Sequence, residues 1–390
     1  MAKLNIIVVG TGMYVCGRGT PGYGTIMPAI FEWARSGKAG EIIVAGRSAR
    51  GAREAGKKIN DLRRQMGVRA SVKVLPAKKD DPRAYMKAIK GISGPACAII
   101  ATPDNLHKEA AETAMKAGLH TLVVKPLVAV LKDAKSLIAL QDKKKVFCAV
   151  EFHKRYDDAN LNLRDAIRKG TIGDPLYFLV EFSQRKSMPS KIFRAWAETT
   201  NIFQYLGIHY ADMVYFVTGA RPVRVSAIGQ KNWLKSRGID TYDAVEAVIE
   251  WKMPGMKRFV SHILTNWIDP ETTSAMSDQK IKVIGTKGRF ESDQKKRGIT
   301  VVTDEKGIDE PNPYFCSAFG SAGSLNYRGY GIESIRQFLE DAKNVGEGRQ
   351  TFEELEGKRP TFRQSVVSTA VLEAVNRSLK QAGRWVKVKR

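Results

Sequence analysis

Residues 4–9 read Leu-Asn-Ile-Ile-Val-Val and run straight into Gly10-Thr11-Gly12. A β-branched run without regular polar alternation suits a strand buried on both faces, the situation inside a parallel sheet covered by helices. A Gly-x-Gly turn at the end of such a strand is where a dinucleotide pyrophosphate binds. The first glycine permits the tight turn, the second permits close backbone approach, and the following helix N-terminus favours anions. Gly10, Thr11, Gly12 and Met13 are therefore candidate cofactor-binding residues. The motif is irregular, because the position of a third glycine is held by Val15.

Residues 13–23 read as an insertion, after which Gly24-Thr25-Ile26-Met27-Pro28 restores a helix start. Gly17, Gly19, Pro21 and Gly22 favour a loop, and Tyr14, Arg18 and Tyr23 are typical contact residues. Two readings stand: a loop over the cofactor crevice with Arg18 near a phosphate, or a surface loop without ligand contact.

Strand and helix signals alternate through the first 150 residues. Strands are expected at 41–45, 70–75, 96–101, 121–124 and 146–150, and helices at 28–37, 48–66, 107–117 and 132–144. That alternation predicts an α/β, doubly wound parallel sheet of the Rossmann type. Beyond residue 150 the pattern becomes strand-rich, at 176–182, 222–230, 244–251, 258–264, 280–285 and 298–303, and closes with helices at 331–345 and 365–383. A second, α+β domain around a large, open, mostly antiparallel sheet follows. The expected division is 1–150 for the dinucleotide-binding domain and 151–390 for substrate binding and oligomerisation.

The end of the second strand selects the cofactor. Sites for NAD place Asp or Glu there for the ribose 2′-hydroxyl, whereas a 2′-phosphate requires a basic residue. The chain has Ala45-Gly46-Arg47-Ser48-Ala49-Arg50, without a carboxylate. Arg47 can stack on adenine or pair with phosphate, and Ser48 can donate a hydrogen bond. This favours NADP(H), with NAD(H) possible; Arg47 and Arg50 equally suit the start of an exposed basic helix.

Charge and cysteine content narrow the function classes. Lys and Arg number 64 against 40 Asp and Glu, a net charge of +24. The basic residues are scattered rather than set in a stripe with aromatics, so the expectation is a solvated basic surface without a nucleic-acid partner. No apolar run reaches the ~18 residues of a spanning helix, and Met1-Ala2-Lys3 leads directly into a strand pattern, so neither membrane partner nor signal peptide is expected. Cys16, Cys97, Cys148 and Cys316 lack metal-ligand spacing; free thiols in a cytoplasmic protein, with no metal site, are expected.

Residues 101–158, ATPDNLHKEAAETAMKAGLHTLVVKPLVAVLKDAKSLIALQDKKKVFCAVEFHKRYDD, resemble the glucose–fructose oxidoreductase / inositol dehydrogenase / MocA family. They match its Thr-Pro-Asp-x-x-His loop, its Glu-Lys-Pro strand end, and a strand leading to a basic loop and Tyr-Asp. Residues 205–219, YLGIHYADMVYFVTG, are similar to its catalytic helix. The resemblance runs through nearly the whole chain in order. It implies hydride transfer between NAD(P) and a secondary alcohol of a sugar, cyclitol, sugar acid or nucleotide sugar.

By that resemblance Lys125 is catalytic, although Val124 stands where the family has Glu. At the carboxyl end of a parallel strand its ammonium can stabilise a developing alkoxide. His209 matches the catalytic histidine and is expected to act with Lys125. Tyr205, one helical turn earlier, replaces a common Asp and can orient His209 or relay its proton. Thr102, Pro103, Asn105, His107 and Glu151 are expected on the nicotinamide side. His153 and Arg155 are expected to face substrate or to form a solvated loop, and Arg194 and Trp196 to close the pocket. His262 is expected in packing, and His120 has no evident partner.

The resemblance leaves a second activity, an NAD-dependent glycosidase with a transient oxidation–elimination cycle, and the Tyr205 replacement keeps it open. An open sheet in the second domain suggests a homodimer or homotetramer.

Overall fold

The computed structural model describes residues 2–389 apart from 254, 256 and 306. Its two compact units are discontinuous in sequence. One comprises Met1–Val128, Lys132–His153 and Tyr314–Ser365; the other comprises Ala129–Leu131, Lys154–Pro313 and Val366–Arg390. The expected division at 150/151 treats the domains as consecutive. The structure differs in returning residues 314–365 to the first unit.

The first unit is built on six parallel strands: β1 (Leu4–Val9), β2 (Ala39–Ala45), β3 (Val72–Leu75), β4 (Ala96–Ile100), β5 (His120–Val124) and β6 (Cys148–Glu151). Their order is β3-β2-β1-β4-β5-β6. This order reverses direction between β1 and β4, and such a switch point opens a crevice at the strands' carboxyl ends. Ile6 is in register with Ile42 on one side and Cys97 on the other, all three without solvent exposure.

Helices α1 (Met13–Cys16), α2 (Ile26–Ala34), α3 (Ala49–Met66), α4 (Ala84–Gly91), α5 (His107–Lys116) and α6 (Leu131–Lys144) lie between these strands in sequence. Helix α3 is basic outside, yet buries Ala52, Ala55, Ile59, Leu62 and Met66 at helical spacing. It starts on Ser48, whose side chain accepts a hydrogen bond from Gly51 N, and stops at Gly67. Helix α4 lacks a side-chain N-cap, and no sequence signal announced it.

The late segment belongs here for physical reasons. Helix α9 (Tyr330–Gly346) buries Ile332, Ile335, Phe338 and Leu339 in the same core as α2, and Phe338 stacks on Phe147 at 5.7 Å. The Val150 N–H donates to Pro360 O at 2.8 Å, beside a bridge between Ala149 and Thr361.

The second unit contains α7 (Asp158–Arg168), capped by Asp157, and α8 (Ile208–Thr218). Its sheet comprises β7 (Pro175–Arg185), β8 (Arg221–Gln230), β9 (Ala244–Lys252), β10 (Arg258–Asp269), β11 (Ser277–Gly285) and β12 (Arg289–Asp293). A short hairpin, β13 (Val301–Thr303) with β14 (Gly307–Asp309), stands apart from the main sheet, so the strand expected at 298–303 is shorter and does not join it. In the first unit, β15 (Ser317–Phe319) pairs with β16 (Asn326–Arg328). Helix α10 (Phe362–Leu379) leads to β17 (Val386–Lys387), completing the order β12-β11-β7-β10-β9-β8-β17.

Among the described strands of that sheet only the β7–β10 pair is parallel. Strand β10 alternates buried and partly exposed residues, the pattern of a sheet with one covered face.

Candidate active site

The carboxyl edge of the parallel sheet gathers the expected cofactor residues. Gly10 has φ +132, and a Cβ there would lie 2.3 Å from Ala101 O, so only glycine lets the β1 and β4 ends approach this closely. At Gly12 nothing lies within 4 Å of the corresponding Cβ position, which leaves its backbone open to a ligand. Thr11 packs its side chain against Gly46, and Met13 opens the single turn of α1.

The insertion is partly helical rather than all loop. It returns at Gly24 (φ +71), where a Cβ would meet Met13 O at 2.5 Å, and Thr25 N–H donates to Tyr14 O. Gly24 thus supplies the close packing that a third motif glycine provides elsewhere. Three contacts pin the segment to α3. Lys58 Nζ donates to Thr20 O, Pro21 O and Gly22 O at 2.8–3.0 Å, Tyr23 hydroxyl donates to Asp61, and Arg18 bonds Thr11 O at 2.8 Å and Glu54 at 3.4 Å. The Arg18 guanidinium therefore already has protein partners.

Past β2, Arg47 is exposed and Ser48 caps α3. The next α3 donor, Ala49 N–H, bonds Asp80 Oδ1 at 2.8 Å. A carboxylate from the loop after β3 thus reaches the place where residues 45–50 carry none, a feature that spacing along β2 could not reveal.

Past β4, Thr102 Oγ1 is shielded from solvent and has no hydrogen-bond partner among the described residues. Pro103 precedes a 3-10 turn, Asp104–Leu106, in which Asn105 is exposed. His107 is a brace rather than an open ligand-facing ring. Its Nδ1 lies 2.8 Å from Pro126 O and its Nε2 2.9 Å from Thr102 O, tying the loops after β4 and β5 together.

Lys125 follows β5 and is buried. Burial pulls its pKa down to about 8, while the charges of Asp104 and Glu151 pull it back up. Glu151 ends β6 as the register partner of Val124. Both of its oxygens lie 3.0 Å from His153 Nδ1, and Ser334 hydroxyl donates to Oε1 at 2.8 Å. The His153 ring packs on Tyr330 (5.7 Å) and Phe315 (5.1 Å). Tyr14 hydroxyl lies 3.4 Å from His153 Nδ1. Burial, and then the charge and hydrogen bonding of Glu151, hold the Tyr14 phenol well above its usual pKa. Ser334 and Tyr14 reach this cluster from α9 and the insertion; sequence offered no sign of the former.

An open Gly12 backbone and an unsatisfied, buried Thr102 hydroxyl at a switch point fit a dinucleotide. Residues 47–152 match the oxidoreductase family with an NAD-binding Rossmann fold, and residues 160–291 match the GFO/IDH/MocA C-terminal domain. The chain belongs to the Gfo/Idh/MocA oxidoreductase family. Myo-inositol 2-dehydrogenase of Thermotoga maritima is 27% identical over 251 residues, 63% of this chain and 69% of that protein. The 1,5-anhydro-D-fructose reductase of Ensifer adhaerens is 28% identical over 237 residues, 57% and 68% of the two chains. A solved scyllo-inositol dehydrogenase from Lactobacillus casei, with bound NAD(H) and scyllo-inositol, shares the fold at TM-score 0.69 and 16% identity, covering 99% of each chain.

The remaining candidates of this Gfo/Idh/MocA chain lie in its second unit. His209 is buried on α8, with its ring 6.3 Å from that of Phe182. Tyr205 lies in a π-helical turn, Phe203–Gly207, that runs into α8, and packs on Phe193, Trp196 and Trp267. Arg155 does not form a solvated loop. It makes a bidentate pair with Asp212 at 2.8 and 2.6 Å, both side chains buried, which fastens the residues before α7 to α8. Arg194 is half-exposed, paired with Glu198 and bonded to Gly238 O, each at 3.0 Å. Trp196 packs against Phe193, ring centroids 4.5 Å apart. His262 sits in β10 and is partly buried.

All four cysteines are free thiols, and burial raises the pKa of each. Among the described residues no group of His, Cys, Asp or Glu is arranged for a metal ion, and no helix is long and apolar enough to cross a membrane.

Proposed function

We propose that this oxidoreductase interconverts a secondary alcohol and a ketone in a sugar, cyclitol, sugar acid or sugar derivative. The observation that carries the proposal is Lys125, a buried amine at the carboxyl edge of the parallel sheet, on the strand next but one to the glycine turn. Relatives named as inositol dehydrogenase and anhydrofructose reductase support the substrate class.

Bound NAD(P) supplies the hydride acceptor or donor. Lys125 donates a hydrogen bond to the reacting oxygen and stabilises negative charge developing there, at its greatest effect in a site shielded from water. The Gly12 backbone and Thr102 hydroxyl bind cofactor. His209 keeps the acid–base role and Tyr205 the supporting role that the family resemblance implies; each is tested by its own variant. NADP(H) is the proposed preference, supported by exposed Arg47 and the absence of a carboxylate in residues 45–50.

Self-association is proposed through the second unit's sheet, whose strands leave Leu176, Tyr177, Leu179 and Ile228 exposed. Light scattering of the purified protein tests it, and a monomer at micromolar concentration contradicts it.

The activity test is a screen of cyclitols, aldoses and sugar acids with NAD and NADP, followed by absorbance of the reduced cofactor. Turnover of one such alcohol with stoichiometric reduction is expected. Cleavage of a glycoside without net reduction would assign the glycosidase activity instead.

A further inference from the structure

Residues 13–23 carry a single basic side chain, Arg18. It sits in a turn where Thr20 N–H donates to Gly17 O at 3.0 Å. Gly17 (φ +70) folds that turn back so closely that a Cβ there would lie 1.8 Å from Gly22 O. Lys58 and Asp61 fasten the following residues to α3. The fold, rather than a free loop tip, therefore sets where Arg18 stands.

Its side chain spans two parts of the dinucleotide site. The Nε donates to Thr11 O in the glycine turn at 2.8 Å. The Nη1 lies 3.1 Å from the place a Cβ on Gly51 would take, against the first turn of α3. Ser48 Oγ lies 3.0 Å from the same place, so the guanidinium and the Ser48 hydroxyl border one small space that Gly51 leaves open. Thr11 packs on Gly46, the residue before Arg47. The end of the second strand and the start of the helix after it are where a Rossmann site reads the 2′ position of the adenosine ribose.

The charges here are Arg18, Arg47, Arg50, Glu54 and Asp80. Glu54 lies 3.4 Å from Arg18 Nη1 and gives its other oxygen to Arg50 at 3.0 Å. Arg18 and Glu54 are 38% and 44% exposed, so their long ion pair is screened and easily exchanged. Among the described residues Arg18 Nη2 donates to no protein group. A phosphate monoester accepts two parallel N–H bonds from a guanidinium, a stronger arrangement than the single long contact to Glu54. Asp80, bonded to Ala49 N–H, opposes an anion at this place, so cations are needed to offset it.

We propose that Arg18 is a specificity-determining residue for the cofactor, its guanidinium exchanging Glu54 for the 2′-phosphate of NADP(H). The inference rests on the proposed preference for NADP(H) and names a residue outside β2 and α3 that produces it. It makes the insertion part of the cofactor site, at the adenosine end rather than over the pyrophosphate.

The test is equilibrium binding to the full-length protein without alcohol substrate. The probes are NADPH and NADH by fluorescence, and 2′-phospho-ADP-ribose and ADP-ribose by competition. Arg18→Gln should weaken binding of both 2′-phosphorylated probes by about tenfold or more and change the other two by less than about twofold. Arg18→Lys, which keeps the charge without the planar fork, should fall between Arg18→Gln and wild type. Glu54→Gln removes the competing carboxylate and should strengthen the phosphorylated probes a few-fold. The readout is the ratio within each pair, because loosening of the insertion alone would weaken both members together. Equal weakening of phosphorylated and unphosphorylated probes in Arg18→Gln overturns the proposal, since it places Arg18 at the shared pyrophosphate or in the fold. Unchanged binding of all four overturns it as well. If the wild type binds NADH more tightly than NADPH, the proposed preference fails, and the ratio in Arg18→Gln still decides whether Arg18 reads the 2′-phosphate.

Discussion

Val124 and Glu151 face each other in register across the β5–β6 pair, which puts a buried carboxylate one strand away from the lysine that follows Val124. A parallel sheet brings side chains from consecutive strands together at its carboxyl edge.

Cofactor choice should depend on the opposition of Arg47 and Asp80. Asp80 occupies the Ala49 N–H at the start of α3, where a 2′-phosphate would be repelled by it. Arg47→Ala should weaken NADP binding about tenfold and leave NAD nearly unaffected, whereas Asp80→Asn should strengthen NADP binding several-fold. Fluorescence titration with both cofactors measures this. Tighter NAD than NADP binding by the wild type contradicts the preference.

The insertion should behave as a strap held by Lys58. With Lys58→Met the three carbonyls of residues 20–22 lose their shared donor. Proteolytic cleavage within residues 17–23 should then accelerate, and stopped-flow cofactor release should become faster. Faster cleavage with an unchanged release rate would mean the strap serves the fold alone.

Acid stability should reflect His120. Burial lowers its pKa from 6.5 to about 4, and its Nδ1 accepts the Phe147 N–H at 3.0 Å. The folded state favours the neutral ring, so the unfolded chain takes up this proton first as pH falls. The group's contribution is complete above pH 6.5 and is lost on descent through about 4. His120→Gln should flatten the fall in Tm between pH 6.5 and 4 relative to wild type. An identical pH dependence would remove the assignment.

Much of the fold was legible because its signals are local. The run at 4–9, the alternation of strands and helices to 150, and the caps Ser48 and Gly67 around α3 each act within a few residues. The return of residues 314–365 to the first unit was not legible, because it depends on Phe338 and neighbouring side chains finding a core made by the distant residues of α2 and β6. The same holds at the site. Lys125 and Glu151 stood out at strand ends, while Ser334 and Asp80 carry no motif and acquire meaning only through their neighbours. The resemblance points Arg155 at substrate, whereas its buried ion pair depends on Asp212, 57 residues away.

The central claim is that the buried amine of Lys125 acts on the reacting oxygen. Its pKa near 8 makes the ammonium the main form below that pH, and the donor is lost above it. The decisive measurement is kcat for carbonyl reduction against pH, in wild type and Lys125→Met, with cofactor affinity measured alongside. The account predicts a wild-type rate that falls as pH rises through about 8. It predicts a Lys125→Met rate lower by roughly a hundredfold without that fall, the usual scale for a lost acid–base or electrostatic group, and cofactor binding within a few-fold of normal. A Lys125→Met enzyme that keeps the wild-type rate and the same alkaline limb would contradict it.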